Sequence, residues 1–261
     1  MFIVIINDCQ DANAAGRQIT RAVTFLRGQA TIIGVQNDLE AAGNLIDALD
    51  AAESKRGVVM ANVAPRSGRA KKWPNGTPFG YFWHKDALVL ASVDGLTLSL
   101  AKKFKIAQDI RVLDISTVLR FAKERRLLGQ KEMARIQNSQ FRSFDFLPKA
   151  VQWIEEGYDL PFESMPMSEV PDAPKSVWWV DNFGNCKTTI LPEEINFEAG
   201  KFCQTKFGNL PMYSRLKDVP DGEIALVIGS SGIGEDRFVE IVAQGGNAAK
   251  ELNLGSGKEI R

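Results

Sequence analysis

Three short apolar runs, Phe2 to Ile6, Ala30 to Val35 and Gly57 to Val63, open this chain, and the segments between them carry a different period. Ala14 to Leu26 and Asp38 to Ala52 space their apolar residues as one face of a helix does. A chain that alternates buried strands with amphipathic helices is restricted to an α/β layering, usually parallel strands joined by helical crossovers. Lys85 to Val93 adds a further strand and Arg111 to Ile115 another. Ser116 to Gln137 predicts one charged helix, with Val118, Leu119, Phe121, Ala122, Leu127, Leu128 and Met133 toward one side. Its Lys/Arg/Glu run reads as a solvated face.

The pattern changes between Ser164 and Lys175, where three prolines occur without helical spacing. That stretch reads as a linker. Beyond it, Val177 to Val180, Lys187 to Ile190, Glu223 to Ile228 and Phe238 to Val242 are short β-rich segments parted by turn residues, the pattern of a small antiparallel barrel. The predicted organisation is an α/β N-terminal domain over 1–163, a linker over 164–175 and a C-terminal β-barrel domain over 176–261. The glycine-rich Gly229 to Gly234 matches neither GxGxxG nor the P-loop, and a strand follows it, so it reads as a hairpin turn and not a phosphate cradle.

Charge and composition remove several functions. With 32 basic and 32 acidic residues the formal net charge is zero, which gives no drive toward nucleic acid. The apolar start, Met1 to Ile6, is too short for a signal peptide or a membrane span, and the expected location is cytoplasmic. Cys9, Cys186 and Cys203 are widely spaced and form no CxxC pair, which argues against disulfides and structural zinc. His84 is the single histidine, so a His-rich metal site is excluded; within Tyr81 to Lys85 it reads as part of a strand face.

Val180-Asp181-Asn182-Phe183-Gly184-Asn185 and the stretch from Ala225 to Ile260 resemble the C-terminal half of the SAM hydroxide adenosyltransferases, the S-adenosylmethionine hydrolases related to fluorinase and chlorinase. The resemblance extends forward. Asn7 to Asn13 is similar to the family's TDFG segment with its second acidic residue. Asn37 to Gly43 parallels a helix start, Ala64 to Gly68 the DPGVG loop, and Val93 to Leu96 the DNGVL turn. Ala101 to Gln140 is unmatched. The resemblance implies that Asp8, with Asn13 and Asn37 nearby, serves the ribose end of S-adenosylmethionine; one carboxylate has two acceptor oxygens and can hold a vicinal diol. The alternative for Asp8 is a strand-end residue that caps the helix starting near Ala14. The resemblance also implies that Asp181 pairs with the substrate amino group and Asn185 contacts adenine. Tyr213 would stack on the ring, Asn247 and Ala248 read its polar edge, and Ser230 and Ser231 meet the methionine carboxylate. Taken singly, Asp181-Asn182 and Gly246-Asn247 also read as turns and Tyr213 as core.

The hydroxide-transferring enzymes share an Asp-Arg-His set thought to activate water. The corresponding positions here are Ala64, Lys71 and, across a gap, Arg142. Arginine stays protonated and is no ready base. Ser67 and Ser143 fall near the positions where fluorinase holds halide. Three readings follow: hydrolysis of S-adenosylmethionine to adenosine and methionine, a catalytically silent S-adenosylmethionine or adenosine binder, and a halogenase. The resemblance implies no cofactor and a small-molecule substrate bound between subunits of a homotrimer.

Overall fold

The opening apolar run forms strand β1 (Phe2–Asn7), which pairs in parallel with β2 (Gln29–Gly34) on one side and β3 (Gly57–Asn62) on the other. Helices α1 (Ala12–Leu26) and α2 (Asp38–Ala51) make the two crossovers, as the spacing predicts. The computed structural model describes residues 1–64 and 77–261, which divide into two compact units, Met1–Pro171 and Asp172–Arg261.

In the first unit β3 pairs in parallel with β5 (Ala87–Ser92). The sheet then turns antiparallel: β4 (Phe79–His84) forms a hairpin with β5, and β6 (Asp109–Leu113) and β7 (Glu163–Pro166) follow. The order is β2-β1-β3-β5-β4-β6-β7, a mixed sheet where the pattern alone suggested parallel strands. Hairpin chemistry makes the difference, since Lys85 takes φ 53° and reverses the chain in too few residues for a crossover. Ile3, Ile5, Val58, Met60, Leu88 and Leu90 share one core with Ala22 and Leu26 of α1. Alternation sends Ile6, Val59 and Val89 to the opposite face, and α2 packs on β1 and β3.

The charged segment is two helices, α4 (Ile115–Glu124) and α5 (Gln130–Gln137), and not one. Arg126 at φ 60° ends the first, with the Leu127 amide donating to the Ala122 carbonyl, and Gly129 precedes the second. Nor is the charged run wholly solvated. Glu132 pairs with the buried Lys149 at 2.8 Å, and Arg135 pairs with Asp145. Short helices α6 (Arg142–Asp145) and α7 (Leu147–Glu155) complete this layer beside α1, while α3 (Ser99–Lys103) packs against α2. Part of the expected linker is ordered into the first unit as β7 and the 3-10 turn Met167–Glu169, tied by the Met167 amide to the Gln108 carbonyl at 2.8 Å.

The second unit is a six-stranded sheet in the order β10-β11-β12-β13-β9-β8. Its strands are β8 (Val177–Val180), β9 (Cys186–Thr188), β10 (Phe202–Thr205), β11 (Gly208–Tyr213), β12 (Ile224–Ile233) and β13 (Asp236–Ala243). The expected purely antiparallel pairing fails at one place, because β11 and β12 run parallel through Met212↔Leu226 and Tyr213↔Val227. The edge strands do not pair with each other among the described residues. The chain end lies between them: the Ile260 amide donates to the Lys175 carbonyl at 2.9 Å, and the Lys206 amide to the Ile260 carbonyl at 2.8 Å. Gly229 to Ile233 belongs to β12 and is not a hairpin turn. The pairing of β12 with β13 shifts register between Ile228 and Gly232, and the chain turns at Gly234 and Glu235.

Candidate functional site

In an open α/β sheet ligands gather outside the carboxyl ends of the strands, where successive crossovers leave in opposite directions. Here that point is β1, flanked by β2 and β3, and Asp8 follows its last residue. The Asp8 amide donates to the Asn62 carbonyl at 3.4 Å, and its Oδ2 accepts from the Ala64 amide at 3.1 Å. Asp8 does not cap the helix. Asp11 does, with its Oδ1 accepting from Asn13 and Ala14 at 3.0 Å each.

Beneath Asp8 lies a buried polar cluster that the sequence reading missed. Asn7 is 1% exposed and Gln18 3%. Asn7 donates through Nδ2 to Gln18 Oε1 at 2.5 Å and to Ser143 Oγ at 3.4 Å, while its Oδ1 accepts from the Cys9 amide at 2.8 Å. An amide at the end of an otherwise apolar strand was the available signal. The cluster brings Ser143 under the end of β1. Arg142 donates through Nη1 to the Thr77 carbonyl at 2.9 Å and lies 5.6 Å from the centre of the Phe79 ring. Burial pushes its guanidinium below the ordinary value, but an arginine remains a cation and a donor.

Asn37 is the N-cap of α2, its Oδ1 accepting from the Leu39 and Glu40 amides at 3.1 and 3.0 Å. Asn13 is exposed and lies along α1 with Arg17 and Arg21. Ser67 and Lys71 fall outside the described residues. His84 ends β4 opposite Ala87, the first residue of β5, so it sits at the other end of the sheet from Asp8. Five residues of strand rise separate those ends, roughly 17 Å.

In the second unit Asp181 and Asn185 build one turn. Asp181 Oδ1 accepts from the Phe183 and Asn185 amides at 2.9 Å each, and Oδ2 accepts from Asn185 Nδ2 at 3.0 Å. Gly184, at φ 88°, lies so close to Asn247 that a Cβ would fall 2.2 Å from its side chain. The Ala249 amide donates to the Gly184 carbonyl at 3.0 Å, and Ala248 is fully buried. Asp181, Asn185, Asn247 and Ala248 are therefore one constellation, made rigid by glycine at one contact and by the Asn247 cap of α8 (Ala248–Glu251) at the next. The tip residue Phe183 is 70% exposed, an aromatic face beside Asn185 that the sequence reading did not select. Large exposed aromatics next to fixed amides suit planar ligands.

Tyr213 donates its hydroxyl to Glu223 Oε2 at 2.8 Å, and that bond holds its pKa above the ordinary value. Ser231 is buried and accepts from Lys187 Nζ, whereas Ser230 is exposed and its carbonyl accepts from Arg237 at 3.1 Å. They lie four and five positions along β12 from Leu226, which is in register with Ile241 and, through it, Cys186 beside the turn. That is roughly 13–16 Å of strand. Cys186 is buried, and burial, with Asp181 and Glu240 adding, pushes its thiol up to about 12. It is no nucleophile.

Residues 175–261 match the family model described as the SAM hydroxide adenosyltransferase C-terminal domain. The second unit is similar to that domain over nearly its whole length. Over the whole chain the fold is similar to the crystal structure of an uncharacterized conserved protein from Thermotoga maritima, at 16% identity and a TM-score of 0.70, covering 99% of this chain and 100% of that one. A conserved hypothetical protein from Thermus thermophilus is similar at 17% identity and a TM-score of 0.64, covering 99% of each chain. At such identities the likeness concerns fold alone. No curated protein sequence matches the chain. Among the described residues no helix is long and apolar enough to cross a membrane, and no group of three His, Cys, Asp or Glu is placed to hold a metal.

Proposed function

We propose that this protein binds S-adenosylmethionine and hydrolyses it to adenosine and methionine. The observation that carries the reading is the adenosyltransferase-type C-terminal unit with its fixed constellation of Asp181, Asn185, Asn247 and Ala248. Asp8 at the switch point of the first sheet supports it, since a carboxylate there can take both ribose hydroxyls. Water attacks the 5' carbon and methionine leaves as a neutral thioether, so the leaving group needs no acid and the reaction no cofactor. Positioning and desolvation supply much of the acceleration.

Two competing readings have observations of their own. The single histidine lies at the wrong end of its sheet and Arg142 is bound to the Thr77 carbonyl, which favours a silent binder over an enzyme built on a histidine base. Halide transfer draws on Arg142 and Ser143, but Ser143 is buried against Asn7. The proposal further includes a cytoplasmic location and a homotrimer whose sites join Asp8 of one subunit to Asn247 of the next. Calorimetry and chromatography with S-adenosylmethionine decide between enzyme and binder, added chloride or fluoride tests halide transfer, and light scattering tests the trimer. A monomer that binds ligand at full strength removes the intersubunit site.

A further inference from the structure

The last paired residues of β3 and β5 are Ala61 and Ala91, and those of β4 and β5 at the same end are Phe79 and Ser92. Carried past these ends, the registers set Ala64, Asp94 and Thr77 in one row across three adjacent strand ends. The Thr77–Asp94 half of that row is supported by the Val93 amide, which donates to the Pro78 carbonyl at 3.2 Å. Asp8 joins the row through its bond from the Ala64 amide. Two strand spacings, roughly 10 Å, separate β1 from β5. A ribose and one water fill such a span.

Two atoms in this row are orphans. Asp94 Oδ2 and Thr77 Oγ1 are both buried, and neither has a hydrogen-bond partner among the described residues. Buried polar atoms left unpaired are rare enough to need a reason, since each forfeits the hydrogen bonds it made to water. The other oxygen of Asp94 is held, accepting from the Gly95 amide at 3.0 Å. The turn that carries it is held too. Leu96 donates its amide to Asp38 Oδ2 at 2.7 Å, and Gly95 at φ 76° has that same oxygen 2.4 Å from where a Cβ would stand. The structure therefore keeps one carboxylate oxygen fixed, buried and without a donor among the described residues, in a row with a hydroxyl in the same condition, at the end of the sheet that carries Asp8.

We infer that Asp94 is the general base of the hydrolysis and that Thr77 positions the attacking water against it. The inference rests on the proposed S-adenosylmethionine hydrolysis and supplies a base where Arg142, a cation bound to the Thr77 carbonyl, offers none. The water oxygen forms its bond to the 5' carbon as the carbon–sulfur bond breaks, the electron pair passing to sulfur and neutralising the sulfonium. One water proton goes to Asp94 Oδ2 and then to solvent, and the other remains on the 5' hydroxyl of adenosine. The Thr77 hydroxyl gives a second bond to that water and fixes its direction.

The test uses the full chain with S-adenosylmethionine, measuring the dissociation constant by calorimetry, adenosine release by chromatography and the thermal midpoint. Asp94→Asn keeps an oxygen for the Gly95 amide and removes the base. Its expected result is a dissociation constant within about twofold of the wild type, an unchanged thermal midpoint and release slower by about 10²–10⁴-fold. Thr77→Val should bind equally well and lose a smaller part of the rate. If Asp94→Asn does not fold, Asp94→Ser, whose hydroxyl can still accept from Gly95, supplies the same comparison. Release by the folded variant within about threefold of wild type overturns the inference, because a lost general base costs far more. So does a wild type that binds but releases nothing, which leaves the binding reading standing. A wild type that fails to bind overturns both.

Discussion

Replacing Gly184 with alanine attacks the contact that holds Asp181, Asn185 and Asn247 together, and a second glycine provides its control. Gly184 and Gly200 have nearly the same backbone, φ 88° and 86°, but a Cβ at 184 would fall 2.2 Å from the Asn247 side chain whereas one at 200 meets nothing within 4 Å. The left-handed conformation costs a non-glycine residue about 1–2 kcal/mol at either site. At 184 the alanine must also displace Asn247, whose Oδ1 accepts from the Lys250 amide at 2.8 Å and caps α8. Losing such a cap costs about 1 kcal/mol. Gly184→Ala should then be destabilised by about 2–3 kcal/mol and Gly200→Ala by about 1–2 kcal/mol. Urea unfolding of the full-length proteins reads the difference as a midpoint shift at constant slope. The ligand arm is sharper: Gly184→Ala should weaken adenosine binding while Gly200→Ala leaves it unchanged. Equal losses of stability together with equal affinities would refute the claim that Gly184 is the hinge of this site.

The caps and carboxylates make further contrasts. Asp11→Ala should lower stability by about 1 kcal/mol through loss of the α1 cap and leave ligand affinity alone, whereas Asp8→Ala should lower affinity with no helix-cap loss; calorimetry and unfolding on both variants check the exchange of roles. Asp181→Ala strands the Phe183 and Asn185 amides and should cost about 1–3 kcal/mol and most of the binding, read by the same two measurements. Burial, with Lys85 adding, holds the His84 imidazole below its ordinary 6.5. The unfolded chain therefore takes its proton first as pH falls, and the His84 share of stability, whole above about pH 6.5, is lost on acidification through the folded value. Since this is the only histidine, NMR titration of its ring protons reads one midpoint, and a value at or above 6.5 would contradict its burial.

The crossovers were legible because Ala22, Leu26, Leu45 and Leu49 repeat at helical spacing between unbroken apolar strands. The antiparallel half of the first sheet was not. Its reversal hangs on Lys85 holding a positive φ, and lysine carries no turn signal of its own. The parallel pairing of β11 with β12 is likewise a tertiary choice that alternation cannot encode. At the site, the family-like segments around Asp181, Asn185 and Asn247 were legible, and the fold brings these residues together through Gly184. Asp94 and Thr77 escaped because their interest lies in unpaired atoms and in a register between strands that only coordinates supply. Asn37 matched by position, yet its acceptor is spent on the cap of α2.

Chromatography of purified protein incubated with S-adenosylmethionine, run alongside a calorimetric titration, tests the proposed hydrolysis. Hydrolysis gives a saturable heat and the appearance of adenosine and methionine in equal amounts. Absence of heat with S-adenosylmethionine and with adenosine at millimolar concentration, and no adenosine formed, would contradict it.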